Sequence, residues 1–357
     1  MNQTRLNRVV ANMAAQGLEQ IVVTATASVY YLTGIHVEPM ERMLALLIRD
    51  DGSCTLYANE LFALQPQPDL PMKLHTDSDD PAAILAADLK PGKLGVDKWW
   101  PSKFLIGILS RRSDIVPVLG SAPVDDARMC KDAAEIDAMR RASKINDQVM
   151  AATIQAIHAG ATENELAGLV EKRFKDHGAD RSSEGQLVCF GPNGADPHHG
   201  PNDTVLKRGD SVVMDIFIPI GRYWCDMTRT LFFGEVSEEG RKVYETVRAA
   251  NEAAEAMIRP GIPMRDIDAA ARKVITDAGY GPYFTHRLGH GCGLECHEPP
   301  DNSSACEVLT RPGMVFSVEP GIYLPGKLGV RIEDLVLVTE TGCEVLNAYP
   351  KDLLVVE

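Results

Sequence analysis

The strongest constraint on the fold is a β-hairpin signal that carries aspartates inside apolar strands. Residues 208–235 read RGDSVVMDIFIPIGRYWCDMTRTLFFGE, two β-rich runs on either side of a Pro-Ile-Gly-Arg turn. A hairpin centred between Ile220 and Gly221 places Asp215 directly opposite Asp226. Opposite side chains in an antiparallel ladder have Cβ atoms about 5 Å apart, so two carboxylates there repel unless a cation or a shared proton lies between them. Aspartate is also a poor strand former, so both positions indicate a role beyond folding.

A second hairpin signal, in residues 314–338, repeats this arrangement with glutamates. Two apolar strands flank a Pro-Gly-Lys turn, and Glu319 and Glu333 are symmetric about Gly326. One such pair could simply face solvent at the strand ends. Four acids in two hairpin pairs, each interrupting an apolar run, instead indicate a site where function overrides local preference.

Histidines cluster in two further segments, PHHG at 197–200 and HRLGHGCGLECHEPP at 286–300. Glycines at 289, 291 and 293 would allow close approach of the backbone to a ligand. Carboxylates with one imidazole suit two divalent ions such as manganese, cobalt or zinc, about 3.5–4 Å apart. Such a pair holds a water as hydroxide at neutral pH and polarises a carbonyl oxygen, which is the chemistry of amide hydrolysis.

The pattern along the chain predicts two domains. The chain has 357 residues, enough for two cores. Short apolar strands alternate with helical stretches up to about residue 118, which is typical of an α/β layer domain. A strongly periodic helix begins near residue 131, so we place the boundary between residues 125 and 126. Beyond it we predict helices near 131–158, 162–177, 238–258 and 264–278, and strands in 186–190, 211–233 and 313–339.

Composition narrows the choice of partners and compartment. The formal net charge is -14, from 36 basic and 50 acidic side chains, so nucleic acid and anionic membranes are poor partners. The sequence lacks an apolar run long enough for a membrane helix, and its N-terminus is expected to form an amphipathic helix rather than a signal peptide. Eight scattered cysteines without a secretory signal are typical of free thiols, so we expect a cytoplasmic protein.

The motifs, taken together and in order, resemble those of the pita-bread metallopeptidases, the family of methionine aminopeptidase, aminopeptidase P and Xaa-Pro dipeptidase (prolidase). The strings are DMTRT at 226–230, HRLGHGCGLECHE at 286–298, VEPGIY at 318–323 and VRIED at 330–334. The resemblance implies an α/β (α+β) fold, with a creatinase/prolidase-like α/β domain at 1–125 and a pita-bread catalytic domain at 126–357. The leading domain favours the proline-specific branch, because methionine aminopeptidases usually lack it. Creatinase is disfavoured, because it works without metal and lacks the five ligands.

The resemblance also implies roles for individual residues. The five metal ligands would be Asp215, Asp226, His290, Glu319 and Glu333. Asp215 would bind one ion bidentately, Asp226 and Glu333 would bridge two ions, and His290 and Glu319 would complete the second ion's shell. Glu319 would also be the general base. His297 would steady the substrate carbonyl and the tetrahedral intermediate, His286 would line the proline-side pocket and Arg331 would order the site.

One histidine assignment stays open, because the family has a Pro-His pair where this chain has Pro197-His198-His199. Counting back from the turn at 208–210 favours His198, with His199 as the alternative. The sequence thus predicts a cytoplasmic Xaa-Pro dipeptidase with two divalent metals per subunit, acting on peptides with proline in the second position. The resemblance implies a homodimer. The alternatives are an aminopeptidase P acting on longer peptides and a non-catalytic binding module on the same fold.

Overall fold

The computed structural model describes residues 1–180 and 185–357 of the chain. Within them the chain divides into two compact units, Met1–Arg128 and Met129–Glu357. Every helix in the described ranges is too short or too polar to cross a lipid bilayer. The predicted mixed α/β fold class is confirmed.

The first unit is built on one mixed sheet whose strands follow the order β4-β3-β2-β1-β5-β6. Its strands are β1 (Gln20–Val23), β2 (Leu44–Arg49), β3 (Cys54–Asn59), β4 (Met72–His75), β5 (Gly92–Val96) and β6 (Ile115–Leu119). Its helices are α1 (Gln3–Ala15), α2 (Thr26–Thr33), α3 (Pro81–Ala86) and α4 (Ser102–Leu109), and α5 (Ala122–Met129) carries the chain onward. Apolar residues of α3, α4 and the strands, among them Leu85, Phe104 and Leu47, form a buried core.

The second unit combines long helices with sheets whose strands are antiparallel except where β17 pairs with β9. Its helices are α6 (Ala133–Ile154), α7 (Glu163–Asp176), α8 (Glu238–Met257) and α9 (Met264–Asp277). Its strands are β7 (Leu187–Phe190), β8 (Ser211–Ile220), β9 (Tyr223–Phe233), β10 (Gly289–Gly291), β11 (Glu298–Asn302), β12 (Val315–Val318), β13 (Gly321–Leu324), β14 (Leu328–Arg331), β15 (Asp334–Val338), β16 (Cys343–Val345) and β17 (Val355–Val356). Helix α6 begins with a capping box, in which Asp132 and Glu135 satisfy each other's backbone N–H groups.

Two apolar cores support the sheets of this unit. One lies between α6, α7 and the sheet of order β17-β9-β8-β7, with Val149, Phe174 and Met214 fully buried. The other packs α8 and α9 against strands β12 to β15, with Val247 and Phe316 fully buried. Strands buried among apolar neighbours provide a rigid base, so polar side chains that project from them are held in fixed positions.

The first hairpin forms as predicted, but its register is shifted by two residues. Asp215 faces Thr228 across the ladder and Asp226 faces Phe217, so the aspartates are diagonal rather than opposite neighbours. The turn is centred between Gly221 and Arg222, both with positive φ, 58° and 73°. Two residues with positive φ make the type I′ turn that matches the twist of a hairpin. The predicted direct pairing was wrong because the arginine takes the second left-handed position.

The symmetry predicted for the second hairpin is confirmed. Gly321 pairs with Arg331 in β13–β14, and Val318 pairs with Asp334 in β12–β15, so both ladders share one centre at Gly326. Glu319 and Glu333 lie in the break between the two ladders, at equal distances along the sequence from Gly326. A break in the ladder frees these residues from strict strand geometry and lets both acids turn to one side.

Candidate metal centre

The five candidate ligands come from separate elements of the second unit. Asp215 lies on β8 and Asp226 on β9, and His290 is the central residue of the short strand β10. Glu319 follows β12 and Glu333 precedes β15. Backbone hydrogen bonds fix the last two, since Glu319 N donates to Leu288 O at 2.8 Å and Glu333 N donates to Thr228 O at 3.0 Å.

Asp226, His290 and Glu333 form the compact centre of this group. One ligand atom from each lies within 4.8 Å of the other two, and all three residues are buried. Glu319 joins them, because its Oε1 lies 3.4 Å from His290 Nε2. An oxygen-rich set with one imidazole is the ligand chemistry of manganese, cobalt and zinc.

Unpaired buried oxygens show that this group fits a metal. Asp215 Oδ1 and Asp226 Oδ1 are inaccessible to solvent and have no hydrogen-bond partner among the described residues. A buried carboxylate oxygen without a donor is costly, and a cation satisfies it. The two atoms therefore mark where positive charge belongs.

Charge repulsion among the acids of the centre also favours a bound cation. Burial raises the pKa of Asp226 well above its ordinary value, and the nearby charges of Asp215 and Glu319 raise it further. Burial likewise raises the pKa of Glu333, with Asp226 as the main neighbouring charge. Both acids can be ionised together at neutral pH once a cation offsets their repulsion.

His290 is prepared to act as a neutral ligand. Burial lowers its pKa to about 3, helped by the neighbouring His297, so the ring is uncharged at neutral pH. Its Nδ1 lies 3.2 Å from Gly291 O, which fixes the proton on Nδ1 and leaves the Nε2 lone pair directed toward the acids. Nε2 is 3.8 Å from Asp226 Oδ2.

Glu319 is held by a short chain of hydrogen bonds. His290 N donates to Ser317 Oγ at 2.9 Å, and Ser317 Oγ donates to Glu319 Oε1 at 3.0 Å. Burial raises the pKa of Glu319 to about 7. A carboxylate with a pKa near neutrality and a fixed orientation is suited to accept a proton and release it again.

Arg331 connects Asp215 with Glu333 through a chain of hydrogen bonds. Its Nη2 donates to Asp215 Oδ2 at 2.7 Å, and its Nε donates to Thr228 Oγ1 at 3.0 Å. The Thr228 hydroxyl in turn donates to Glu333 Oε2 at 2.6 Å. Arg331 also donates to the Tyr323 hydroxyl at 3.0 Å. One buried guanidinium thus orients two of the candidate ligands from behind.

Comparison with known proteins identifies the family of this site. Residues 137–340 match the sequence model of metallopeptidase family M24, and residues 5–130 match that of the creatinase/prolidase N-terminal domain. The first match covers more than half of the chain and contains all of the candidate site residues. The chain belongs to metallopeptidase family M24.

Relatives across the whole chain place this M24 peptidase in the prolidase and aminopeptidase P branch. An uncharacterized peptidase of Staphylococcus aureus (strain MSSA476) is 35% identical over 98% of this chain and 100% of its own. The crystal structure of a prolidase from Thermococcus sibiricus has a TM-score of 0.93 at 35% identity and covers 99% of each chain. An X-Pro aminopeptidase from Thermotoga maritima MSB8 has a TM-score of 0.84 at 31% identity, covering 98% of this chain and 99% of its own.

The candidate histidines of the M24 peptidase lie around the ligands. The His297 ring meets the His290 ring edge to face, with centroids 3.9 Å apart, and its side chain is exposed. His286 Nε2 lies 2.8 Å from the Tyr323 hydroxyl, and its Nδ1 lies 2.7 Å from Arg287 O. Burial lowers the pKa of His286 to about 4, so the neutral ring accepts from the tyrosine and donates to the carbonyl.

The two adjacent histidines face different ways. His198 is exposed, and the carbonyl just before it, Pro197 O, accepts from Arg331 Nη1 at 3.3 Å. The His199 ring instead lies 3.3 Å from the buried Glu163. This geometry favours His198 as the active-site histidine.

The glycines on either side of His290 approach the backbone of neighbouring strands. A Cβ at Gly289 would lie 2.1 Å from Ser317 O, and one at Gly291 would lie 2.4 Å from Glu298 O. Close packing of β10 between its two neighbouring strands therefore requires glycine on either side of the ligand histidine.

Several residues that orient the centre were missed by sequence reasoning. Ser317 and Thr228 each bond to a candidate ligand, and Tyr323 joins Arg331 to His286. Two signals were available, since Ser317 interrupts the apolar run VFSV and Thr228 lies in the string DMTRT. Cys296 also contacts the centre, because its Sγ donates to Asp226 Oδ2 at 3.4 Å.

Proposed function

We propose that this M24 peptidase is a metal-dependent Xaa-Pro dipeptidase, which hydrolyses the peptide bond before proline. The observation that carries the proposal is the buried group of Asp226, His290 and Glu333, in which Asp226 Oδ1 has no partner among the described residues. Such a group is costly without a cation and well suited to one.

The ligand set supports two divalent ions. Asp215 would hold one ion, Asp226 and Glu333 would bridge both, and His290 with Glu319 would complete the shell of the second. Bound ions of this kind polarise a scissile carbonyl and lower the pKa of an attacking water. Manganese, cobalt and zinc all accept these ligands.

Glu319 is the proposed proton carrier. Its carboxylate takes a proton from the attacking water and gives it to the proline nitrogen as the C–N bond breaks. The bond from Ser317 Oγ to Glu319 Oε1, 3.0 Å, supports this role, because it fixes the orientation of the carboxylate beside His290.

The surrounding side chains are assigned to the substrate. His297 donates to the carbonyl oxygen as negative charge develops there, which its exposed position beside His290 supports. His198 lies on the same side and contacts the substrate main chain. His286 lines the proline-side pocket, where Phe284 packs edge to face against it at 5.2 Å. Arg331 keeps Asp215 in place through its 2.7 Å bond.

The preference for dipeptides rests on the relatives. The prolidase from Thermococcus sibiricus has a higher TM-score than the X-Pro aminopeptidase from Thermotoga maritima, 0.93 against 0.84. Aminopeptidase P activity on longer peptides is the second candidate, supported by that same neighbour. Both activities would use the same metal centre and would cleave the same bond, the peptide bond before proline.

Three further assignments accompany this function. We assign residues 1–125 to the creatinase/prolidase-type domain and 126–357 to the catalytic domain. We also propose that the protein acts as a homodimer and in the cytoplasm. Size-exclusion chromatography with light scattering tests the homodimer, and cell fractionation tests the cytoplasmic location.

A substrate screen tests the proposed function. Chelator-treated protein is reloaded with manganese, cobalt or zinc and offered an Xaa-Pro dipeptide, the matched Xaa-Ala dipeptide and a tripeptide with proline second. We expect metal-dependent cleavage of the Xaa-Pro dipeptide alone. Faster cleavage of the tripeptide would identify an aminopeptidase P, and no cleavage with any metal would support a binding module.

A further inference from the structure

A fully buried carboxylate, Glu163, lies outside the metal centre and has no part in the assignments above. It is the first residue of helix α7, and its side chain is 0% exposed. An isolated buried charge is costly unless several donors satisfy it. The positive end of the helix dipole offsets some of this cost, and the remainder must come from hydrogen bonds.

Three N–H donors and one histidine ring nitrogen surround this carboxylate, and all four belong to residues 190–202, a segment that begins at the last residue of β7. Oε1 accepts from Phe190 N at 2.7 Å and from Asn193 Nδ2 at 2.9 Å. Oε2 accepts from Asn202 N at 3.1 Å and lies 3.3 Å from His199 Nε2. Glu163 therefore ties the beginning of the segment 190–202 to its end.

The segment held in this way carries residues of the active site. Pro197 O accepts from Arg331 Nη1 at 3.3 Å, and His198 is the next residue of the chain. The loop also packs tightly on β14, because a Cβ at Gly329 would lie 1.7 Å from Gly194 O. The same loop thus contacts both the buried carboxylate and the strand that ends in Arg331.

The geometry points to Glu163 as a positioning residue that sets the place of His198 in the active site. It touches neither substrate nor metal and acts through the loop 190–202. The inference rests on the proposed function, because it takes His198 to be a substrate-binding residue. It assigns to the pair Glu163–His199 the task of orienting the neighbouring histidine, which explains why two adjacent histidines have different surroundings.

Kinetics of a double-mutant cycle test this assignment. Glu163→Gln keeps the shape but brings an amide N–H toward the donors at Oε2. We expect kcat/KM for an Xaa-Pro dipeptide to fall about tenfold, with manganese affinity by calorimetry unchanged. His198→Ala should lower kcat/KM much less in the Glu163→Gln background than in wild type, because both changes remove the same contact, that of His198 with the substrate. Independent, multiplying effects, or a large loss of manganese affinity, would overturn the assignment.

Glu165 provides the matched control. It lies on the same helix two residues later, with its carboxylate exposed and 3.1 Å from His158 Nε2. Glu165→Gln should leave kcat/KM and loop order unchanged. If Glu163→Gln fails to fold, Asn193→Ala is the second variant, because it removes one donor to Glu163 from a half-exposed position. Its effect on kcat/KM should be smaller, but it should again be non-additive with that of His198→Ala.

Hydrogen exchange separates this inference from the proposed function. Peptides covering residues 190–202 should exchange faster in Glu163→Gln than in wild type, whatever the substrate is, while peptides covering β12 should not change. Absence of dipeptide hydrolysis by wild-type protein would contradict the proposed function alone. Unchanged exchange in 190–202 would overturn the role of Glu163 even if hydrolysis is observed.

Discussion

Arg331 donates from Nη2 to Asp215 Oδ2 at 2.7 Å, and the arginine side chain is only 5% exposed. The same guanidinium contacts Thr228 through Nε and Tyr323 through Nη1. Its planar fork is what allows one side chain to reach three partners in different directions. The position of Asp215 therefore depends on the shape of the arginine as well as on its charge.

Replacing Arg331 by lysine should weaken metal binding although the charge is kept. A single ammonium cannot reach all three partners, so we expect manganese affinity to fall about 10–100-fold, the usual effect of losing a residue that orients a ligand. Calorimetric titration of the chelator-treated protein measures it. Arg140→Lys, at the exposed bidentate pair with Glu344, is the control and should leave affinity unchanged. Equal affinities in all three proteins would contradict the role of Arg331.

Thr228→Val should also lower metal affinity, because the hydroxyl joins Arg331 to Glu333. Valine keeps the volume but leaves a buried donor and a buried acceptor unpaired. The expected loss is about tenfold in manganese affinity. Thr153→Val is the matched control, since that buried hydroxyl donates to Val149 O within helix α6. A similar loss in both variants would show that the effect is not specific to the metal centre.

Glu319 should make metal-free protein less stable as pH rises. Its pKa is raised from 4.5 to about 7 in the fold, so between these values the folded state binds more protons than the unfolded state. Stability from this group is present below pH 4.5 and lost as pH rises to about 7. Metal-free Glu319→Gln should match the wild-type Tm near pH 4 and exceed it at pH 8. A Tm difference that does not change with pH would contradict the raised pKa.

Lys351 should stabilise a buried group of charges behind the centre. Its Nζ lies 2.8 Å from Glu255 and 3.0 Å from Asp334, which is also paired with Arg229. Lys351→Met leaves the acids short of one cation and should cost about 3 kcal/mol in the free energy of unfolding. Urea denaturation at pH 8 measures this cost.

The cost of Lys351→Met should shrink at pH 5. Burial already raises the pKa of Glu255 to about 7 in wild type, and protonation removes its need for the lysine. Lys327→Met, at the exposed pair with Glu239, is the control and should leave the urea midpoint nearly unchanged at both pH values. A Lys351→Met penalty that is the same at both pH values would contradict the protonation of Glu255.

Sequence patterns were sufficient for most of the layout of the second unit. The polar residues Asp215, Asp226, Glu319 and Glu333 stand out because each interrupts an apolar run of the sequence, and strand periodicity is a strong signal. The second hairpin could be placed on its centre because Pro-Gly-Lys offers one obvious turn. The first could not, because a left-handed arginine at position 222 leaves no mark in the sequence.

The supporting residues were harder to predict for a physical reason. Thr228, Ser317, Tyr323 and Glu163 act through contacts that join positions far apart in the chain, such as Thr228 with Glu333. Such contacts depend on how sheets and loops pack, whereas periodicity reports only which face of an element is buried. The choice between His198 and His199 has the same origin, because the partner that separates them is the distant Glu163.

Metal stoichiometry measured together with hydrolysis tests the central proposal most directly. Chelator-treated wild-type protein and Asp226→Asn are titrated with manganese while cleavage of an Xaa-Pro dipeptide is followed in the same samples. For wild type we predict two bound ions per chain and cleavage that appears as they bind. For Asp226→Asn we predict neither two bound ions nor cleavage. Cleavage by metal-free protein, or full cleavage by Asp226→Asn, would contradict a metal centre built on this carboxylate.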